Sequence, residues 1–181
     1  MLKFGIFALT LLAAGSASAQ TSPQNTQMAR LDMMRGVWKG EAKGMGPGGQ
    51  PYSVTQTERV GAMNGGDLLV IEGRGYDGAT LKFNAFGVIS WNPQAQVYEF
   101  RAYNSGYAIT APLKLDGTTA VWEMPAGPNT SIRFTLDFST VGVWHETGQY
   151  IAAGQPPRPI LDMTLKHVGD TDWPAIGAVL P

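Results

Sequence analysis

The chain has 181 residues and a formal net charge of −1, with 13 Lys and Arg residues against 14 Asp and Glu residues. Because no basic cluster interrupts this balance, we do not expect nucleic acid as a partner. The lack of Cys removes disulfides, thiolate metal ligands and Cys nucleophiles, so that a packed core must supply the stability.

The first predicted element is a cleavable export signal over residues 1–19. Lys3 gives a positive start, the range 4–14 is apolar, and Ala-Ser-Ala at 17–19 matches the small-x-small cleavage pattern. The apolar run is shorter than the roughly 20 residues that a bilayer-spanning helix needs. We therefore predict cleavage after Ala19, a periplasmic or secreted location, and no membrane span.

A short helix is predicted within the segment 20–36. Ser22 can cap it, and Pro23 suits the first helical position. Gly36 is expected to end it in a left-handed conformation. One face of this helix carries an apolar stripe suited to packing on a larger surface, made of Met28, Leu31 and Met34.

From residue 37 onward, apolar and polar residues alternate with the period of strands that have one buried face. Turns rich in Gly, Pro and Asn separate these alternating runs. Sequential hairpins of this number predict an all-β fold, a single antiparallel up-and-down barrel over residues 37–168 with a tail at 169–181. The predicted strands lie near 37–45, 53–63, 67–76, 82–92, 96–104, 107–115, 118–124, 130–138, 142–152 and 159–168.

The sequence leaves open which face of two strands carries the charges. If Val54 and Val60 face inward, parity places Glu58 inside, where it would be the main polar group and would need a partner or a raised pKa. Glu72 and Arg74 share a face with Leu68 and Val70, so that Glu58 and Arg74 could form a buried pair. The alternative, more usual for charged side chains, is that these strands turn their charged faces to solvent.

No catalytic or metal-binding constellation is predicted. His145 and His167 are the only histidines, and the neighbour Glu146 points away from His145 on a strand. Neither a Gly-x-Ser-x-Gly elbow nor a phosphate-binding glycine loop is present. We expect a binding site without a metal or a cofactor, and its predicted residues are Trp38, Glu58, Trp91, Tyr98, Trp122, Phe134 and Met163. In a small barrel the aromatic members of this set could instead fill the interior.

The motif Gly36-Val37-Trp38-Lys39-Gly40, a helical turn before it and an all-antiparallel chain after it resemble the calycin superfamily, which includes lipocalins and fatty-acid-binding proteins. The chain is most similar to exported bacterial proteins with a lipocalin-like domain of unknown function. The resemblance covers residues 28–168. It implies that Trp38 closes one end of the barrel beneath a ligand cavity. Lipocalins also place a basic residue of the last strand against this tryptophan, and Lys166 and His167 lie near that position.

The chain also resembles nitrobindin, a ten-stranded heme barrel that opens with the same motif and binds iron through a histidine near its last strand. The corresponding region here, residues 154–161, has no histidine, so heme would require His145 or His167. Three functions therefore remain open. The barrel could bind or carry a small apolar or amphipathic molecule without catalysis, act as a heme protein with redox or isomerase activity, or serve as a structural or interaction domain with a filled core. The sequence sets no oligomeric state.

Overall fold

The computed structural model describes residues 22–46 and 48–176. The predicted export signal and its cleavage after Ala19 therefore lie outside the described residues. Within the described ranges, no helix has the length and apolar character needed to cross a membrane.

A short helical segment precedes the barrel. Helix α1, Pro23–Met28, continues as a 3-10 turn, Ala29–Met34. The Ser22 hydroxyl caps α1 by accepting a hydrogen bond from the backbone N–H of Asn25. The predicted apolar stripe of this segment is buried, and it consists of Met28, Leu31 and Met34.

Gly36 does not end the helix, which corrects the expectation from the sequence. The helical segment ends at Met34, its C-cap Arg35 has an extended backbone, and Gly36 is already the first residue of a strand. Its φ is 115°, and a Cβ at this position would collide with the imidazole of His167. Glycine is therefore needed here because the first and last strands approach each other closely.

Ten antiparallel strands form one closed barrel in which each strand pairs with its neighbours in sequence and the first pairs with the last. The predicted all-β, up-and-down barrel is confirmed, and the predicted strand bounds lie close to the observed ones. The strands are β1 (Gly36–Met45), β2 (Pro51–Met63), β3 (Leu68–Asp77), β4 (Thr80–Asn92), β5 (Val97–Asn104), β6 (Tyr107–Asp116), β7 (Thr119–Gly127), β8 (Thr130–Asp137), β9 (Val143–Ala152) and β10 (Arg158–Gly169).

The two ends of the barrel differ. The open end is formed by the hairpins that join β1 to β2, β3 to β4, β5 to β6, β7 to β8 and β9 to β10. The helical segment lies across the opposite, closed end. There the Tyr98 hydroxyl donates to the backbone oxygen of Gln27 at 2.7 Å, and the indole N–H of Trp38 donates to the backbone oxygen of Met34 at 2.9 Å.

Trp38 lies in the middle of the closed end with 3% of its surface exposed. Its ring is edge-on to Phe138, Trp144 and His167, with centroid separations of 5.9, 6.0 and 5.0 Å. Of the two basic candidates on the last strand, His167 contacts Trp38 and Lys166 points to the outside. The closed end is therefore a packed aromatic core.

The outer faces of β2 and β3 carry an ion-pair network. Glu72 accepts hydrogen bonds from Arg59 and from Arg74 at the outer surface. The buried pair between Glu58 and Arg74 that the sequence allowed does not form, because Glu58 lies inside the barrel and Arg74 outside. The more usual arrangement, in which each strand turns its charged face to solvent, is correct for β3, where Glu72 and Arg74 lie outside. It is wrong for β2, where Glu58 lies inside.

The C-terminal tail packs on the barrel wall. The guanidinium of Arg59 lies 4.4 Å from the ring centroid of Trp173, and the backbone of Trp173 closely approaches Gly61. Gly61 is the register partner of Val70. Val70 is 2% exposed although it faces outward, because this part of the wall is covered.

Candidate functional site

The seven residues predicted to bind a ligand all lie on the interior face of the barrel but do not form one site. Trp38 and Tyr98 belong to the closed end, and Trp91 packs edge-on against Tyr98 at 4.9 Å. The remaining members, Glu58, Trp122, Phe134 and Met163, come from the part of the barrel above this core. The structure therefore divides the predicted set into a structural group and a candidate site.

An aromatic wall lines one side of the interior. The rings of Trp122 and Phe134 are stacked at 4.3 Å, and Phe100 packs edge-on against Trp122 at 4.9 Å. All three side chains remain partly accessible, in contrast to the sealed residues of the closed end. These rings thus present faces and edges that an apolar molecule could contact.

Glu58 is the main polar group opposite this apolar lining, as predicted for an inward β2 face. It is 8% exposed, and the side-chain amide of Gln56 donates to its Oε1 at 2.7 Å. Burial is the largest influence and raises the pKa of Glu58 to about 7, with a further increase from the charge of Glu72, while the Gln56 hydrogen bond lowers it. At neutral pH the carboxyl is therefore poised between its neutral and ionised forms.

Two glycines of β3 make room for these side chains. A Cβ on Gly73 would lie 2.6 Å from Oε1 of Glu58, and a Cβ on Gly75 would lie 2.9 Å from Oε1 of Gln56. Both glycines are register partners of the residues that they face. The carboxyl of Glu58 thus lies flat against the wall of the barrel, where only glycine leaves space for it.

Glu146 on β9 is a second interior carboxyl, and the sequence reasoning missed it. Burial raises its pKa to about 8, with a further increase from the charge of Glu58, while the indole of Trp144 lowers it. Glu146 is enclosed by the barrel yet remains partly accessible, as a group that lines an internal space does. Its inward position follows from the alternation of β9, on which Trp144, Glu146 and Gly148 share a face.

Two further polar side chains lie near Glu146. Burial, followed by the charge of Glu146, raises the pKa of the Tyr52 hydroxyl on β2. The indole N–H of Trp144, which is 3% exposed, lies beside the Glu146 carboxyl but makes no hydrogen bond of good geometry to any described residue. The interior therefore holds two carboxyls together with a donor that is not satisfied.

The heme alternative would need one of the two histidines as its iron ligand. His145 faces outward, and its Nε2 lies 3.2 Å from Oδ1 of Asp162. His167 packs on Trp38 at the closed end, with its Nε2 3.6 Å from Oδ1 of Asp170. His167 is also the register partner of Trp38, which places it on the inward face of β10 at the closed end. Within the described ranges, no group of three or more His, Cys, Asp or Glu residues could hold a metal ion.

The open end carries two grooves beside the mouth of the barrel. One, of about 300 Å³, is lined by the residue ranges 84–86 and 103–108 on β4, β5 and β6. The other, of about 350 Å³, follows the hairpin between β9 and β10, where the guanidinium of Arg158 lies 5.1 Å from the ring centroid of Tyr150. Both grooves lie on the side from which a molecule could enter.

No protein-family model matches the chain, and no curated protein matches it in sequence. Among solved structures, Rv2717c from M. tuberculosis matches with a TM-score of 0.58 and 14% identity, over 82% of this chain and 99% of that one. The S-type phycobiliprotein lyase CPES from Guillardia theta matches with a TM-score of 0.53 and 9% identity, over 82% of this chain and 94% of that one. At such identities the likeness shows the fold alone, which is a closed antiparallel β-barrel.

Proposed function

We propose that the protein is an exported lipocalin-like barrel that binds or carries a small apolar or amphipathic molecule without catalysis. The observation that carries this proposal is the position of Glu58, a carboxyl inside a mostly apolar barrel. An ionisable group in such a place lowers stability unless it is hydrogen-bonded or contributes to function. Gln56 supplies one hydrogen bond and leaves the remaining acceptor positions of the carboxylate for a ligand.

The shape of the interior supports the same function. The closed end is sealed by Trp38 and its aromatic neighbours, while the side chains of Phe100, Trp122 and Phe134 remain partly accessible above it. A ligand would thus contact apolar walls with most of its surface and place one polar group near Glu58. The fold neighbour named a phycobiliprotein lyase supports the barrel as a scaffold, and no nucleophile with a positioned base favours catalysis in the described part of this chain.

Fluorescence titration with N-phenyl-1-naphthylamine, which is uncharged and apolar, tests this function. We expect saturable binding with increased emission, and we expect Trp122→Ala to weaken it severalfold because the stacked wall is lost. Lys114→Ala is the matched control, since Lys114 is exposed on the outer face of β6 and should leave the affinity unchanged.

The absence of saturable binding would contradict the proposal and favour a filled structural or interaction domain. Equal weakening by Trp122→Ala and Lys114→Ala would also contradict it, because the effect would then not come from the interior. Far-ultraviolet circular dichroism of each variant verifies that the barrel remains folded.

A further inference from the structure

We propose that the bound molecule carries a protonated amine, which Glu58 and Glu146 hold together inside the barrel. This inference rests on the proposed function and specifies the chemical class of the ligand. It follows from the charges in the interior, from the unsatisfied donor beside Glu146 and from the aromatic wall.

The charges of the interior select the sign of the ligand. Glu58 and Glu146 face inward, whereas no Lys or Arg occupies an inward position of the described strands below the rim. Arg158 lies at the open end against Tyr150. A carboxylate or phosphate head group would therefore meet two acids without a base, while an ammonium group would meet two acceptors.

Trp144 lies beside one of the two carboxyls. Its buried indole N–H lowers the pKa of Glu146 but makes no hydrogen bond of good geometry to any described residue. A neutral carboxyl offers a weaker acceptor than a carboxylate does. Ionisation of Glu146 next to a bound cation would strengthen its attraction to this donor, so that Trp144 and an amine favour the same form of Glu146.

The apolar lining suits the body of such a ligand. The stacked rings of Trp122 and Phe134 offer faces to an aromatic or aliphatic group. Met163 is the register partner of Glu146 on the neighbouring strand and extends the apolar surface toward it. Aromatic faces also attract cations, which adds to the preference for an amine.

Amine binding should be coupled to proton release. The charge of Glu58 on β2 raises the pKa of Glu146 on β9, and the other titratable groups that act on the two carboxyls or respond to them are Tyr52 on β2 and Glu72 on the outer face of β3. Between the closed-end residue His167 and the open end, the inward positions of β1, β3, β8 and β10 beside the two carboxyls carry no titratable side chain. An ammonium group would thus displace protons from the two carboxyls and bind more tightly as pH rises from about 6 to about 8.

Isothermal titration calorimetry with three ligands of one shape tests the inference: 1-naphthylmethylamine, 1-naphthylmethanol and 1-naphthoic acid. At about pH 8 we expect the amine to bind about ten- to a hundredfold more tightly than the alcohol, the range for hydrogen bonds to charged groups. The acid should bind most weakly. Titrations of the amine in two buffers of different ionisation enthalpy should show proton release, and titrations of the alcohol should not.

The double variant Glu58→Gln with Glu146→Gln should lose the preference for the amine and retain binding of the alcohol, which verifies an intact cavity. Glu123→Gln, on the outer face of β7, is the matched control and should keep the preference. Equal affinities for amine and alcohol, or tighter binding of the acid, would overturn the inference while the proposed function stands. Failure of all three ligands to bind would overturn both.

Discussion

Replacement of Glu58 by Gln should stabilise the ligand-free protein at alkaline pH. Glu58 is 8% exposed, and its interior position raises its pKa from 4.5 to about 7. Gln has nearly the same shape and can still accept the hydrogen bond that Gln56 donates. The substitution therefore removes the cost of ionising the buried group and preserves the packing.

The raised pKa fixes both the sign and the size of this effect. Because the folded state holds its proton to higher pH than the unfolded state does, the contribution of Glu58 to stability is fully present below about pH 4.5 and is lost as pH rises through about 7. Each pKa unit corresponds to about 1.4 kcal/mol, so that the loss is on the order of 3 kcal/mol. Glu58→Gln should raise the free energy of unfolding by up to about this amount near pH 8.5 and change it little near pH 5.

Urea unfolding of the wild type and the variant near pH 5, 7 and 8.5 measures this difference. Glu123→Gln is a control of opposite sign. Hydrogen bonds from Ser131 and Arg133 lower the pKa of Glu123, so that its contribution is present at neutral pH and is lost as pH falls through the lowered pKa. This control should therefore leave the decline in stability between about pH 5 and 8.5 unchanged. An equal decline in the wild type and in Glu58→Gln, or a less stable variant near pH 8.5, would refute the interior placement of an ionisable Glu58.

Three further outcomes are expected. Trp38→Ala should lower the free energy of unfolding by about 3–5 kcal/mol, because it removes the centre of the closed-end core; an unchanged urea midpoint would contradict this. Gly73→Ala should lower the free energy of unfolding by about 1–3 kcal/mol, because the added Cβ collides with the Glu58 carboxyl. In a Glu58→Ala background the same substitution should cost much less. Additive effects in this double-mutant cycle would speak against the contact. Terminal sequencing of exported protein should begin at Gln20, and recovery of Met1 would rule out the predicted cleavage.

The strands were predictable from the sequence because apolar and polar residues alternate along them and turn residues mark their ends. The run 130–138 alternates without a break, and Asn-Gly and Asp-Gly turns mark several hairpins. The phase of β3 was not predictable in the same way. Val70 faces outward but is covered where the C-terminal tail crosses the barrel, so that apolar residues occur on both faces of this strand.

The candidate site was only half predictable. Parity with Val54 and Val60 identified Glu58 as a possible inward residue. Because both faces of β2 carry polar side chains, the sequence of this strand alone could not decide which face points into the barrel. Glu146 was not predicted because both faces of β9 carry polar side chains, among them the neighbouring His145. The signal was present, since Trp144, Glu146 and Gly148 alternate in phase, but its proximity to Glu58 depends on closure of the barrel.

Contacts between a bound probe and the methionine methyl groups test the central claim most directly. The chain has 8 Met residues, which can be labelled with ¹³C at their methyl groups for nuclear magnetic resonance. With N-phenyl-1-naphthylamine at saturation, we expect intermolecular nuclear Overhauser effects to the inward-facing Met124 and Met163. Effects confined to the exposed Met45 and Met63, or none at all, would contradict binding inside the barrel.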